Sequence, residues 1–153
     1  MPDLDDAAEQ TLLASRALLG VVARSIEPAL EEVSPPQFRV LVLLTAHGPL
    51  RSGAVAERMG IHPSTFSRNA DRLVAAGWVR RVEDPESRLS VLVEPTPRAR
   101  ELVARVTAAR RERIVEILSA MAPQDRERLT QVLGAFAAAA GEPSVEELST
   151  LGL

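Results

Sequence analysis

The sequence predicts a mainly α-helical chain with one small β-hairpin near its middle and long helices at both ends. Three observations carry that reading. Apolar residues recur at three-, four- and seven-residue spacings over most of the 153 residues, as Ala8, Leu12, Leu19, Val22, Ile26 and Leu30 do at the start. Prolines stand where helices are expected to open, at Pro35, Pro63, Pro97 and Pro123, because a first-turn residue needs no N–H donor. Trp78–Val82 and Leu89–Val93, by contrast, are short apolar or β-branched runs around the polar, turn-forming segment Glu83–Arg88.

Taken in order, Leu4 to Glu31 reads as one amphipathic helix that Pro28 ends or kinks. Ser34, Pro35, Pro36 and Gln37 form a capping-box signature that opens a helix through Phe38, Leu41, Leu44 and Thr45, closed by His47, Gly48 and Pro49. Ser52 to Met59 is a second short helix, and Gly60, Ile61 and His62 make a tight turn in which Ile61 is the buried residue. Pro63 opens the next helix, whose Phe66, Ala70, Leu73 and Val74 share one buried face before Gly77 supplies a left-handed stop. Two short helices across a three-residue turn containing glycine make a helix-turn-helix, and the hairpin that follows is a wing. Thr96 and Pro97 cap a helix to about Met121, and Pro123 with Asp125 starts another to about Ala140, broken by Gly141 and Pro143. The predicted organisation is therefore an N-terminal helix over 1–33, a winged helix-turn-helix domain over 34–95, C-terminal helices over 96–141 and a tail over 142–153.

The helix that starts at Pro63 leaves Ser64, Thr65, Ser67, Arg68 and Arg72 facing out. Small hydroxyls permit close approach to phosphates and base edges, and an arginine in the first turns reaches guanine or phosphate bidentately, so these five are candidate DNA contacts. The bland alternative is a solvated surface helix. Charge distribution argues against it. From Arg51 to Arg81 six arginines face only Glu57 and Asp71, a net of +4, in a chain whose total is −3, which leaves −7 for the remainder. A basic face on an acidic body suits a specific DNA reader better than a general nucleic-acid coat. The wing tip dilutes the pattern, since Glu83, Asp84 and Glu86 crowd it with only Arg88 against them. All 18 cationic side chains are arginines, which favour bidentate phosphate contacts.

Other function classes fare worse. The chain has no cysteine, which removes disulfides, thiolate metal sites and cysteine nucleophiles. His47 and His62 are the only histidines and neither has metal-ligand spacing, so no metal or cofactor is expected and capping or core roles suit both. No phosphate-binding glycine loop, nucleophile elbow or carboxylate pair in an evident cleft is present, and the chain is read as a non-enzyme. Asp3, Asp5 and Asp6 stand where a secretory leader would be basic, and no apolar run approaches a membrane span, so a cytoplasmic location is expected.

Ser64, Thr65, Arg68, Asp71, Arg72, Leu73, Gly77, Trp78, Val79, Arg80 and Arg81 together resemble the recognition-helix and wing pattern of the MarR family of bacterial regulators, over roughly Asp5 to Ala140. The resemblance implies double-stranded DNA as partner and adds Ser52, Arg81 and Arg88 to the candidate DNA contacts. One departure matters. Where the family carries an Asp-x-Arg pair at the wing tip, this chain has Ser87 and Leu89, and Arg88 lies one residue out of register, so on a regular strand it points to the opposite face.

The helix from Pro97 to Met121, about 37 Å long at 1.5 Å per residue, outruns a small winged core. Its Leu102, Val106, Ile114, Ile117 and Leu118, with Leu129, Val132, Leu133 and Phe136 of the last helix, are expected to pack against a second copy, giving a homodimer that meets a pseudo-palindromic operator. The resemblance further implies a small aromatic or phenolic effector held between these helices and the wing domain, for which Arg16, Arg24, Phe38 and His47 are candidate contacts. The alternative is a protein-interaction module of the same fold with weakened or lost specific DNA binding.

Overall fold

Proline sets the first boundary. The computed structural model describes residues 3–141, and in it α1 (Leu4–Ile26) gives way to a 3-10 segment, Glu27–Glu31, rather than continuing as α-helix to Glu31. Pro28 has no N–H to donate and its ring presses on the carbonyl of residue 24, so the α path stops short of the predicted end. The predicted capping box then opens α2 (Pro35–His47): Gln37 N donates to Ser34 Oγ at 3.4 Å, and the Gln37 side chain accepts from Ser34 N at 2.9 Å.

The helix-turn-helix follows as α3 (Ser52–Met59) and α4 (Pro63–Ala75). Gly60 sits at φ 66°, the left-handed conformation that lets Ile61 N reach back to the Ala56 carbonyl at 3.0 Å and turns the chain into α4. Ile61 is half-buried against the core, as the turn requires.

Three strands make one antiparallel sheet in the order β1-β3-β2: β1 (Leu50–Arg51), β2 (Val79–Asp84) and β3 (Ser87–Pro95). Two features differ from expectation. The two-residue β1, paired Leu50 to Val93 and Arg51 to Leu92, is too short to leave a periodic signal. The hairpin also turns at Pro85 and Glu86 alone, where the sequence suggested the six residues Glu83–Arg88. Regular pairing runs from Val79–Pro95 to Glu83–Val91 and then shifts, so that Asp84 faces Ser87. Residues 88–90 lie in that irregularity, and strict alternation from face to face does not carry through it.

Phe66, Leu41, Leu44, Leu73, Val55, Val93 and Trp78 form the core, joined by Ala29 and Val33 before α2 and by Ala99, Leu102, Val103 and Val106 of α5 (Pro97–Ser119). The winged core thus borrows residues from beyond the predicted 34–95 span. Only the first half of α5 is buried, and α6 (Pro123–Ala139) buries no residue at all. Along α1 only Val21 and Ser25 are buried. The predicted tail, 142–153, lies outside the described residues.

Candidate nucleic-acid interface

His62 caps α4: its Nδ1 accepts from Ser64 N at 3.2 Å and lies 2.7 Å from Ser64 Oγ, so the imidazole replaces the usual hydroxyl or carboxamide cap. Phe66, Ala70 and Leu73 lock one side of the helix into the core. Ser64, Thr65, Ser67, Arg68 and Arg72 are all exposed on the other, as their spacing predicts. Arg68 Nε donates to the Ser64 carbonyl at 3.4 Å, which aligns the side chain along its own helix. Thr65, Arg68, Asn69 and Arg72 border a groove of about 460 Å³ floored by Pro36, Met59 and Ile61. Two planar, five-donor cations beside small hydroxyl and amide groups fit phosphate and base-edge chemistry.

Ion pairing divides the six arginines of the basic segment. Arg81 is paired with Asp71 of α4 at 2.5 Å, Arg80 with its cross-strand partner Glu94, and Arg51 with Asp84 at 2.6 Å. Arg58, Arg68 and Arg72 make no ion pair among the described residues. The sequence singled out Arg81 for DNA, yet here it braces α4 against β2. Ser52 is half-buried at the first position of α3, and the side chain of Arg88 lies outside the described residues.

The wing tip is less acidic in effect than its composition suggests. Asp84, whose side chain is 4% exposed, accepts from Glu86 N at 2.9 Å, Ser90 Oγ at 2.9 Å and Arg51 Nε at 2.7 Å. The acid is a structural centre around which the hairpin closes, and Arg51, missed in the sequence, neutralises it. The Glu86 amide foremost, then the Ser90 hydroxyl and Arg51, hold the Asp84 carboxyl below its ordinary value against the opposing effect of burial. A depressed carboxylate stabilises the fold above its unfolded pKa and loses that contribution as pH falls through the folded value. An NMR titration is therefore expected to show the Asp84 carboxyl protonating below the ordinary value of about 3.9. Titration at or above the ordinary value would mean that the three donors do not hold the acid in solution.

The four candidate effector contacts do not converge. Phe38 is buried in the core, where it fills volume rather than lining a site. Arg16 and His47 are exposed and border none of the cavities described here, whereas Arg24 borders one of about 200 Å³ with Val21, Ser25, Ala109 and Arg113. An adjoining cavity of about 250 Å³ is walled by Ser25, Pro28, Glu32, Leu102, Arg105 and Val106. Its charged lining comes from Arg105 of α5 and from Glu32, just after the 3-10 segment, residues that gave no local signal. Among the described residues no group of three His, Asp or Glu side chains could hold a metal ion, and no helix is long and apolar enough to cross a membrane.

This geometry has close counterparts. The MarR family model matches residues 32–88. The crystal structure of RV1404 from Mycobacterium tuberculosis is 39% identical, superposes with a TM-score of 0.84, and is matched over 93% of this chain and 97% of that one. The chain belongs to the MarR family. MarR proteins are transcriptional regulators, and the small antiparallel sheet among helices is their winged-helix fold. YfiV, an HTH-type transcriptional regulator of Bacillus subtilis, is 39% identical over 71 residues, which span 46% of this chain and only 44% of that protein. The HTH-type transcriptional repressor MdtR of the same organism is 28% identical over 119 residues, 74% of this chain and 77% of that protein.

Proposed function

We propose that this MarR-family chain is a sequence-specific DNA-binding regulator that reads a pseudo-palindromic operator as a homodimer in the cytoplasm. In this reading residues 34–95 bind DNA, with α4 entering the major groove, and the helices of 1–33 and 96–141 join two subunits. One observation carries it: α4 buries Phe66, Ala70 and Leu73, with Val74 half-buried beside them, opposite an exposed face of three hydroxyls and two arginines that pair with no acid among the described residues. Residues at the first turns of such a helix are those that reach base edges. Ser64, Thr65, Ser67, Arg68 and Arg72 are the proposed contacts, with Ser52, Arg81 and Arg88 at the periphery.

A gel shift on the DNA upstream of the gene, in the presence of excess random duplex, tests it. A reader retains the specific band, because specific sites bind at least about a thousandfold tighter than bulk DNA. Equal competition by random duplex would favour the interaction module instead. The Arg51–Asp84 brace speaks for the reader, since it gives the wing a support of its own where the Asp-x-Arg pair is missing.

The effector belongs, in this reading, to the adjoining cavities between α1 and α5, where Arg24 offers a cation, with Arg105 and Arg113 held by Glu32 and Glu116, beside an apolar wall of Leu102 and Val106. A small aromatic acid matches that lining. Occupancy at about a hundred times Kd adds roughly 2.7 kcal/mol to stability, so a melting screen against aromatic carboxylates and phenols is expected to find one that raises Tm. A flat screen would remove the effector from the reading and leave the DNA contacts standing.

A further inference from the structure

We propose that Arg98 is a positioning residue for α4, and that Glu32 holds it in that role, so that the end of the DNA-facing helix is set from the junction of α1 and α2. The proposal rests on the DNA-binding reading above. The segment Ala76–Gly77–Trp78 joins α4 to the wing, with Gly77 at φ 75°, and the start of α5 grips it from outside. Arg98 Nη1 donates to the Ala76 carbonyl at 3.3 Å, and its guanidinium carbon lies 3.8 Å from the centre of the Trp78 ring. Thr96 Oγ1 reaches the Gly77 carbonyl at 2.9 Å and the Trp78 carbonyl at 3.1 Å, and Thr96 N donates to the Trp78 carbonyl at 3.1 Å.

Arg98 is itself held. Its Nη2 donates to Glu32 Oε2 at 3.3 Å, while Glu32 Oε1 accepts from Arg105 Nη2 at 2.9 Å. One carboxylate therefore spans two arginines of α5 and ties both to the end of the 3-10 segment. Both ion pairs are largely exposed, and exposed pairs add little to global stability. Their geometry does something else. A cation held over the Trp78 ring while it donates to the Ala76 carbonyl fixes the direction in which α4 leaves the core, and base readout tolerates only small errors in that direction. Glu32 also borders the larger α1–α5 cavity, so the tether and that cavity share a residue.

The test uses the full chain with Arg98→Ala, Arg98→Lys, Glu32→Gln and the double variant Arg98→Ala/Glu32→Gln. Trp78 is the only tryptophan, and its emission reports whether the guanidinium still covers the ring. Glu32→Gln leaves Trp78 and Arg98 themselves in place but is expected to release Arg98, shifting the emission to the red and weakening specific DNA binding, with melting nearly unchanged. Arg98→Ala is expected to lose about tenfold in specific affinity, and the double variant no more than that, because residues of one network do not add. Arg98→Lys, which keeps the charge without the planar fork, should fall between wild type and Arg98→Ala, and it keeps the test open if Arg98→Ala fails to fold. Unchanged emission and affinity in Glu32→Gln, or losses that simply add in the double variant, would overturn the tether. If wild type shows no preference among DNA sequences, the DNA-binding reading fails, and the Trp78 response to Glu32→Gln still decides whether Glu32 holds Arg98.

Discussion

A chain ending at Ala122 is expected to lose the dimer and, with it, tight operator binding. The reason lies in what α6 fails to bury. Its Val132 and Phe136 are 63% and 56% exposed, Leu133 is nearly half exposed, and no residue of the helix is buried. An isolated helix of this length is marginal in water, so α6 needs a surface to lie on. Leu12, Leu13 and Leu19 on α1, and Val115 and Ile117 at the far end of α5, are exposed in the same way. In the proposed homodimer a second copy would cover these faces. Full burial of an exposed Val, Leu or Phe contributes about 1.5–3 kcal/mol, so covering the exposed half of each of these side chains contributes a corresponding part, and several together are enough to hold two subunits. Loss of the second half-site then forfeits the linked binding event, commonly worth about a hundredfold or more in affinity. Light scattering and a gel shift on the shortened chain decide the matter: monomers or aggregates that fail to bind are expected. A compact, DNA-competent dimer would place the interface elsewhere.

The same residues show what a sequence makes legible. Pro35, Pro63, Pro97 and Pro123 each open a helix, and Gly60 and Gly77 adopt the left-handed conformations their positions imply, so most boundaries follow from local chemistry. Local chemistry also marks the outward face of α4, because helical period alone separates Phe66 and Ala70 from Thr65 and Arg68. Pairings between distant segments are another matter. Arg51 and Asp84 are 33 residues apart and Arg105 and Glu32 are 73 apart, and no periodicity selects one acid from 21 for a given arginine. Phe38 illustrates the same limit from the apolar side. An aromatic residue on a helix face satisfies a pocket or a core equally well in sequence, and only the packing of α2 assigns it to the core. The length of the wing turn is hidden for a related reason: Glu83–Arg88 reads as six polar turn residues, whereas one buried acid, Asp84, gathers an amide, a hydroxyl and a guanidinium, and the turn is only two residues long.

Arg68→Ala is expected to cost about 1–3 kcal/mol on the preferred operator and to relax preference at one base pair, whereas Arg72→Ala weakens all duplexes alike. Arg68 stands in the second turn of α4, next to Thr65, and its Nε already donates to the Ser64 carbonyl. Part of the cost of ordering the side chain is therefore met before DNA arrives, and the terminal nitrogens remain to meet a guanine edge. Arg72 lies one turn further on, toward the end of the helix, where helix-turn-helix readers meet the backbone rather than the bases. Its loss should flatten the salt dependence of log affinity by roughly 0.9 per subunit, the signature of one phosphate contact on duplex DNA. Neither change should disturb folding, because neither arginine holds an acid among the described residues; Asp71 is taken by Arg81. Melting temperatures close to wild type would verify that. Equal loss on operator and random DNA for Arg68→Ala would make it a phosphate contact and shift base reading to Thr65 and its neighbours on the first turn.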